Sequence, residues 1–456
     1  MLAYKEGMKV AAIILAAGQG TRMQSALPKP LHHVGGRPML AWTIDAAKAS
    51  GADRVVTVLS RNSTSTQDWL GQQEFAIQHP PLGTGHAVLA ARDVLADFDG
   101  VGLVMFADTP LVASQTLALL TSHIAAGKDI AILGFETPQP TGYGRIIYDA
   151  NGEVQKIVEE RDTNVEEAAL TLVNGGIMAA RIPLLFDLLD SVDTRNAQNE
   201  IYLTDIISVA RSRRYSIACE VTDGDELIGV NCRADLARAE ALLQAQLRVA
   251  AMASGVTLQA PDTVFLSADS VIERDVIIEP HVVIGSGCHI SEGSVIKAFS
   301  HVEGARLGAC CVIGPYARLR PGTTAADGVK IGNFVETKNV TLGNGAKANH
   351  LTYLGDAEIG AAANIGAGTI TCNYDGFNKY RTIVGKNAFI GSNTALVAPI
   401  AIGDGAIVGA GSTMSDDVGA DDIAFTRANV ETRQQAAPAF RDRKKAIKIG
   451  GRKPKS

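Results

Sequence analysis

From Ile272 the chain repeats itself at every sixth residue: Ile272, Ile278, Ile284, Ile290, Ile296 and Val302. A helix returns to its own face after about 3.6 residues and a half-buried strand after about two, so neither element gives this spacing. After a one-residue slip the period resumes in the pairs Leu307 and Ile313, Ile359 and Ile365, Val384 and Ile390, and Ile402 and Val408, each residue followed by Gly. Such a pattern specifies a β-solenoid of hexapeptide coils. One apolar side chain per flat face points inward, and a glycine or small residue takes the chain into each corner. Coils stack only on their neighbours, so the outer faces remain free for symmetric association. Two interruptions, TYLGD after Leu351 and TITCNYDGFNKYRT between Ile365 and Val384, read as loops on a binding face.

Up to about residue 230 the pattern is different. VAAIILA, MLAWTIDAAKAS, DRVVTVLS and VGLVMFA alternate strand-like and helix-like runs, the signature of a mostly parallel sheet covered by helices. Ligands in such sheets bind beyond the carboxyl ends of the strands. Residues 232–253 contain neither Gly nor Pro and place Leu236, Ala239, Leu243 and Leu247 at helical spacing, which predicts one long helix. The division is therefore an α/β domain over 1–231, a linker helix over 232–253 and a β-solenoid over 254–456.

Composition narrows the class. With 46% hydrophobic and 20% charged residues, and no apolar run long enough to span a bilayer, the 456-residue chain is read as a soluble protein of several domains. MLAYKEGMKVAAIILAAG imitates a secretory leader, but its apolar run passes directly into a glycine turn and reads as the first core strand. Cys219, Cys232, Cys288, Cys310, Cys311 and Cys372 form no CxxC pair or zinc spacing, which points to free buried thiols in a reducing cytoplasm. The net charge of −6 conceals a basic tail, RDRKKAIKIGGRKPKS, with eight basic residues against one acidic. That tail could touch RNA or an anionic cofactor, whereas a solvated terminal run is the ordinary outcome, and no nucleic-acid partner is expected.

ILAAGQGTRM, residues 14–23, breaks an apolar run into glycines and an arginine. Met23 stands where a dinucleotide fingerprint has its third glycine, and no G-K-[ST] closes a P-loop. Exposed backbone N–H groups followed by Arg22 and Lys29 nevertheless suit a polyphosphate. Asp108 ends the strand-like VGLVMFAD, where either a metal ligand or a helix N-cap would sit.

Together, LAAGxGTRM, Pro28-Lys29, Gln78, Gly83-Thr84-Gly85-His86, Asp108-Thr-Pro, Thr141-Gly-Tyr-Gly-Arg145, Ile157-Val-Glu159 and Gly229-Val-Asn231 resemble the nucleotidyltransferases that make nucleotide sugars. With the solenoid added, residues 10–430 resemble the bifunctional bacterial family of N-acetylglucosamine-1-phosphate uridyltransferases and glucosamine-1-phosphate acetyltransferases. The resemblance implies a Rossmann-like sheet followed by a left-handed parallel β-helix. It implies that Leu15, Ala16, Ala17, Gly18 and Gln78 hold uracil and ribose, with Gly83 and Thr84 beside them. Arg22 and Lys29 would stabilise triphosphate charge, Asp108 and Asn231 would hold Mg²⁺, and Gly144, Glu159 and Asn174 would contact the sugar. Phe106-Ala107, Asn199-Glu200-Ile201-Tyr202 and the flanking Ile228 and Cys232 depart from that family's usual residues.

In the solenoid the densest polar run begins at Lys338. Acetyl transfer to an amine needs a base of pKa near 7, and His350 is the natural choice, although a lone histidine is more often structural. Arg320, Lys338, Tyr353, Asn364, Asn373, Tyr374 and Lys379 give it polar company. By the same resemblance, Arg320, Lys338, Tyr353 and Asn364 would bind glucosamine-1-phosphate. Ala367, Asn373, Tyr374, Ser392, Ala410 and Arg427 would bind acetyl-CoA, and the site would lie between subunits of a homotrimer. The competing readings are a nucleotidyltransferase with a purely structural solenoid, and a scaffold with an inactive first domain.

Overall fold

The computed structural model describes residues 8–450, with side chains through Ile447. The segment MLAYKEG and, of the basic tail, the Lys448 side chain, Arg452, Lys453 and Lys455 lie outside the described residues. The chain forms two compact units, residues 1–271 with 283–288, and residues 272–282 with 289–456.

In the first unit, Val10–Leu15, Arg54–Ser60, Phe75–Gln78 and Val101–Phe106 run parallel in one sheet, with Leu15 opposite Phe106 and Ser60 opposite Gln78. Leu172–Arg181 enters antiparallel between Val101–Phe106 and Ile130–Glu136. Every residue of Val10–Leu15 is buried because helices cover both faces, which is why this strand reads as a continuous apolar run. Met39–Ala49 packs Leu40 and Ile44 against Ile14 and Leu59 on one face. Leu15, Gln78 and Phe106 thus end at one edge of the sheet, and the loops that follow them must carry the site.

The long helix is Arg233–Ala253. It groups with the first unit, burying Ala239 and Leu243 among Val34, Met39, Leu111 and Val230. Gln244 is buried too, its amide nitrogen donating to the Leu266 carbonyl at 2.7 Å and its oxygen accepting from the Leu266 N–H at 2.9 Å. The compact boundary accordingly falls beyond the helix, after the first coils.

The second unit is a left-handed parallel β-helix. Its strands are mostly two or three residues long and pair in parallel with the next coil, as Ile277–Ile278 does with Val295–Ile296 and then Val312–Ile313. The hexad positions Ile278, Ile290, Ile296 and Val302 are fully buried, while Ile272 at the start is only half-buried. One inward side chain per face is too few, however. Val276, Val282, Cys288, Ser294 and Ser300 form a second buried row, filling the coil interior beside each large residue. Small polar residues are tolerated there because they are hydrogen-bonded, Ser294 Oγ donating to the Gly308 carbonyl at 3.1 Å. The cysteines also differ from a uniformly buried set: Cys288 and Cys311 are buried, Cys219, Cys232 and Cys372 are partly buried, and Cys310 is exposed. At one corner His281, Phe299, Tyr316 and Phe334 stack in a column with ring centroids 4.9–5.3 Å apart. The TITCNYDGFNKYRT interruption is not all loop: Ile370–Cys372 continues the parallel ladder, and only Tyr374 and Lys379 close a small antiparallel bridge outside it. Among the described residues no helix is long and apolar enough to cross a membrane.

Candidate active sites

At the carboxyl edge of the sheet lies a cavity of about 420 Å³ lined by Leu15, Ala16, Ala17, Gly18, Lys29, Gln78, Gly83, Thr84 and Asp108, together with Phe106 and Glu200. The glycine turn is shaped for this place. Gly20 has φ +60°, and a Cβ on it would stand 2.7 Å from Lys29 Cβ, so glycine alone lets the lysine loop pass close behind the turn. Gly83, at φ +104°, likewise abuts the Ile201 carbonyl, 2.6 Å from where a Cβ would stand. Gln78 is buried at the end of its strand, and its amide nitrogen donates to the Gly83 carbonyl at 2.9 Å.

Lys29 joins the elements. Its ammonium pairs with the Asp108 carboxylate and donates to Asn231 Oδ1 at 3.2 Å. The backbone fixes the same juxtaposition, because the Val230 N–H donates to the Asp108 carbonyl at 2.8 Å. The helix that follows, Ser114–Ala125, has Ala113 and not Asp108 at its N-cap. A carboxylate and an amide oxygen within reach of one ammonium can also share one small divalent cation, and hard oxygen donors of this kind suit Mg²⁺. Among the described residues no group of three or more His, Cys, Asp and Glu side chains gathers elsewhere as a metal site. With only two protein oxygens, a bound Mg²⁺ would need phosphate and water to complete its shell, the usual arrangement at nucleotide sites.

Arg22 and Asn231 do not line the cavity. Arg22 is exposed on the turn Thr21–Met23, and its charge reaches Asp235. Burial raises the Asp235 carboxyl, but hydrogen bonds from the Asn231 and Cys232 N–H groups and the nearby Arg22 outweigh it, leaving the pKa lowered. Arg233, beside them, donates to the Met23 carbonyl at 3.2 Å and tethers the turn.

Gly144, Glu159 and Asn174 make a neighbouring cluster. The Asn174 N–H donates to the Gly144 carbonyl at 2.8 Å, and a Cβ on Gly144 would stand 3.6 Å from Glu159 Oε2. Burial raises the Glu159 pKa, countered by a hydrogen bond from Thr204 Oγ1 at 2.8 Å and reinforced by Asp162. The turn Leu203–Asp205 links this cluster to the cavity, since the Leu203 N–H donates to Thr84 Oγ1 at 3.0 Å while Thr204 holds Glu159. Sequence reasoning missed that turn, which has no motif of its own.

On the β-helix, His350 ends the strand Lys347–His350, and Leu351, at φ +51°, turns the corner behind it. The ring is exposed beside a cavity of about 460 Å³ lined by Lys297, Lys330, Asn333, Asn349 and Gly314-Pro315. Nδ1 donates to Asn333 Oδ1 at 2.6 Å, because an amide oxygen can only accept. A proton held on Nδ1 leaves the Nε2 lone pair free. Asn333 was absent from the residues anticipated in sequence, yet it stands directly opposite His350 in the ladder, one coil earlier.

The phosphate-binding candidates gather on another face. Arg320 pairs with Glu336 at 2.9 Å. The Lys338 pKa is lowered chiefly by hydrogen bonding to Lys379 and by its charge, with Arg320 adding to the effect and Asp356 opposing it. Cations held together in this way favour an anion between them. Tyr353 pairs in register with Glu336, and Asn373 donates to Asp356, which also accepts from Asn339 at 2.7 Å. Tyr374 is exposed on the insert and donates to the Gly376 carbonyl. Asn364 pairs with Lys347 on the sheet that carries His350, so the four sugar candidates do not form one cluster within the chain.

Ala367, Ser392, Ala410 and Arg427 follow one edge from coil to coil. The Asn393 N–H donates to the Ala367 carbonyl at 2.7 Å, the Gly411 N–H to Ser392 at 2.8 Å, and Arg427 Nε to Ala410 at 3.3 Å. This row of small residues, continued over successive coils and ending in a guanidinium, suits an extended chain with an anionic end.

Residues 12–163 match the MobA-like NTP transferase domain, and residues 381–415 match the hexapeptide repeat of succinyl-transferase. The chain is 48% identical over 437 residues to the Bifunctional protein GlmU of Sphingopyxis alaskensis, covering 95% of this chain and 96% of that one. It is 48% identical to the Agrobacterium fabrum protein of the same name, covering 97% and 98%, and 50% identical to that of Xanthobacter autotrophicus, covering 94% and 96%. A solved UDP-glucose pyrophosphorylase with UDP-glucose aligns over 52% of this chain and 100% of its own at 20% identity and a TM-score of 0.45, too slight a likeness to bear on fold or ligand. Full-length identity near one half, spanning the sheet, the long helix and the coils alike, means that the chain belongs to the bifunctional GlmU family.

Proposed function

We propose that this chain first acetylates glucosamine-1-phosphate from acetyl-CoA and then transfers uridyl from UTP to the product, releasing pyrophosphate and forming UDP-N-acetylglucosamine, a precursor of peptidoglycan and lipopolysaccharide. The carrying observation is the Nδ1–H bond from His350 to Asn333, which leaves a free imidazole base exposed beside an open cavity. A purely structural solenoid has no use for that arrangement.

In acetyl transfer, His350 Nε2 takes a proton from the sugar ammonium and the freed amine attacks the thioester carbonyl. The C–S bond breaks as the nitrogen gives up its second proton, which passes through His350 to the departing CoA thiolate, while the first proton is released to water. Asn333 keeps the ring in the required tautomer. Arg320, Lys338 and Lys379 bind the phosphate, and the row Ala367, Ser392, Ala410 and Arg427, with Asn373 and Tyr374 on the insert, holds the coenzyme.

In uridyl transfer, a phosphate oxygen of the acetylated sugar attacks the α-phosphorus of UTP, and the bond to pyrophosphate breaks. The protein aligns the partners and neutralises charge. Leu15 to Gly18, Gln78, Gly83 and Thr84 seat the nucleoside, and Gly144, Glu159 and Asn174 seat the sugar. Arg22 and Lys29 offset the charge on the departing pyrophosphate. Asp108 and Asn231 would hold Mg²⁺, which supplies further neutralisation when bound. We take residues 1–231 as the uridyl domain, 232–253 as the linking helix and 254–456 as the acetyl domain, in a cytoplasmic homotrimer.

The test is to incubate the protein with glucosamine-1-phosphate, acetyl-CoA, UTP and Mg²⁺ and to omit each in turn. UDP-N-acetylglucosamine should form only with all four. Accumulation of UDP-glucosamine with acetyl-CoA absent would support the nucleotidyltransferase-only alternative.

A further inference from the structure

Arg145 is 2% exposed, yet its guanidinium meets no carboxylate among the described residues. It donates to two backbone carbonyls, those of Tyr143 and, at 3.3 Å, Ala168, while its Nε is buried without a hydrogen-bond partner. A cation out of water without a counter-charge is a poor stability device, because desolvation is incompletely recovered. An apolar side chain of the same length would fill the space with less penalty. The arrangement therefore calls for a role that an apolar residue could not perform.

That role is visible in what Arg145 holds. Its strand, Arg145–Tyr148, places it opposite both Val173 and Val158, the neighbours of Asn174 and Glu159. Just before it, the loop is fixed at successive points. Gly142 N–H donates to Glu160 Oε2 at 2.6 Å, Tyr143 packs edge-on against Phe135 with centroids 5.0 Å apart, and the Gly144 carbonyl accepts from the Asn174 N–H at 2.8 Å. Arg145 adds the Tyr143 carbonyl, part of the peptide that joins Tyr143 to Gly144, and ties it to the end of the helix Val165–Ala168. A planar fork can span two carbonyls on different segments, whereas a single ammonium cannot.

We infer that Arg145 is a positioning residue for the sugar end of the uridyl site. It sets the Tyr143–Gly144 peptide so that Gly144, Glu159 and Asn174 present one pre-formed surface to the amino sugar phosphate, and it leaves the nucleoside end untouched. The inference rests on the reading of those three residues as sugar contacts.

Arg145→Met keeps the length and removes the charge and both donors. Arg145→Lys keeps the charge without the fork. For each, initial rates are measured against both substrates, with the thermal midpoint and the backbone amide exchange of Asn174. Both variants should raise KM for N-acetylglucosamine-1-phosphate about 10-fold, leave KM for UTP within about twofold, and speed exchange at Asn174. The midpoint of Arg145→Met should not fall. If Arg145→Met does not fold, Arg145→Lys carries the comparison alone. An unchanged sugar-phosphate KM, or equal rises for both substrates, overturns the inference. A wild-type protein inactive in uridyl transfer would instead overturn the site assignment, and normal Asn174 exchange in the variants would then overturn the positioning role as well.

Discussion

Asn333 Oδ1 accepts the Nδ1 proton of His350 at 2.6 Å across one rung of the β-helix ladder. With Nδ1 occupied, Nε2 is the ring nitrogen open to accept a proton, and in the proposed acetyl transfer the side chain that selects this tautomer matters nearly as much as the base. Replacing Asn333 by Ala frees the ring to rotate and to carry its proton on either nitrogen. Acetyl transfer should fall about 10- to 100-fold, the loss expected for one hydrogen bond worth about 1.5–3 kcal/mol to a group that becomes charged. Uridyl transfer in the same preparation should be unchanged. Equal losses in both reactions would indicate damage to the whole protein.

Asp108 shares Lys29 with Asn231. Asp108→Ala removes the only carboxylate in that trio and strands the Lys29 ammonium. Uridyl transfer should be abolished at any Mg²⁺ concentration while acetyl transfer persists. A variant with full uridyl transfer would remove Asp108 from the metal role.

Lys379 presses on Lys338 and lowers its pKa. Lys379→Ala should raise KM for glucosamine-1-phosphate about 10-fold with little change in KM for acetyl-CoA, and should weaken the salt dependence of the sugar-phosphate KM, since one screened charge is gone. An unaltered salt dependence would place the phosphate elsewhere.

Asp205 is a carboxyl whose pKa is raised to about 6 by burial first and then by the charges of Glu159, Asp193 and Asp162. The sign follows from proton uptake: between about pH 4 and pH 6 the folded protein holds a proton that the unfolded chain has released, so stability falls as pH rises through that window. Asp205→Asn removes the effect. It should raise stability at pH 7 by about 1 kcal/mol, a value reduced for a carboxyl that is only half-buried, and the gain should vanish near pH 4. Thermal melts of both proteins across pH 4–7 check this, and a gain that does not change with pH would contradict it.

The coils were legible because one large residue per six is repeated many times, and repetition survives local exceptions. Their second inner row was not, since Cys288, Ser294 and Ser300 are small or polar and look like surface residues until hydrogen bonds place them inside. At the first site, Asp108 stood out as a carboxylate ending an apolar run and Lys29 as a cation following the glycine turn, while Gln78 was marked only by the family resemblance. Asn333 and Thr204 did not, and Arg145 was visible only as the last residue of the Thr141–Arg145 motif with no role attached to it, for each meets a partner distant in sequence: His350, Glu159, and the Ala168 carbonyl. The cysteines were read from compartment chemistry alone, which says nothing of exposure, and Cys310 sits at a corner outside the stacked core.

The central claim is that two reactions are carried by separate residues of one chain, and product analysis of His350→Ala tests it most directly. Supplied with glucosamine-1-phosphate, acetyl-CoA, UTP and Mg²⁺, the variant should make almost no UDP-N-acetylglucosamine, and adding N-acetylglucosamine-1-phosphate should restore product formation to the wild-type rate. Undiminished product from glucosamine-1-phosphate, or no recovery with the acetylated sugar, would contradict the account.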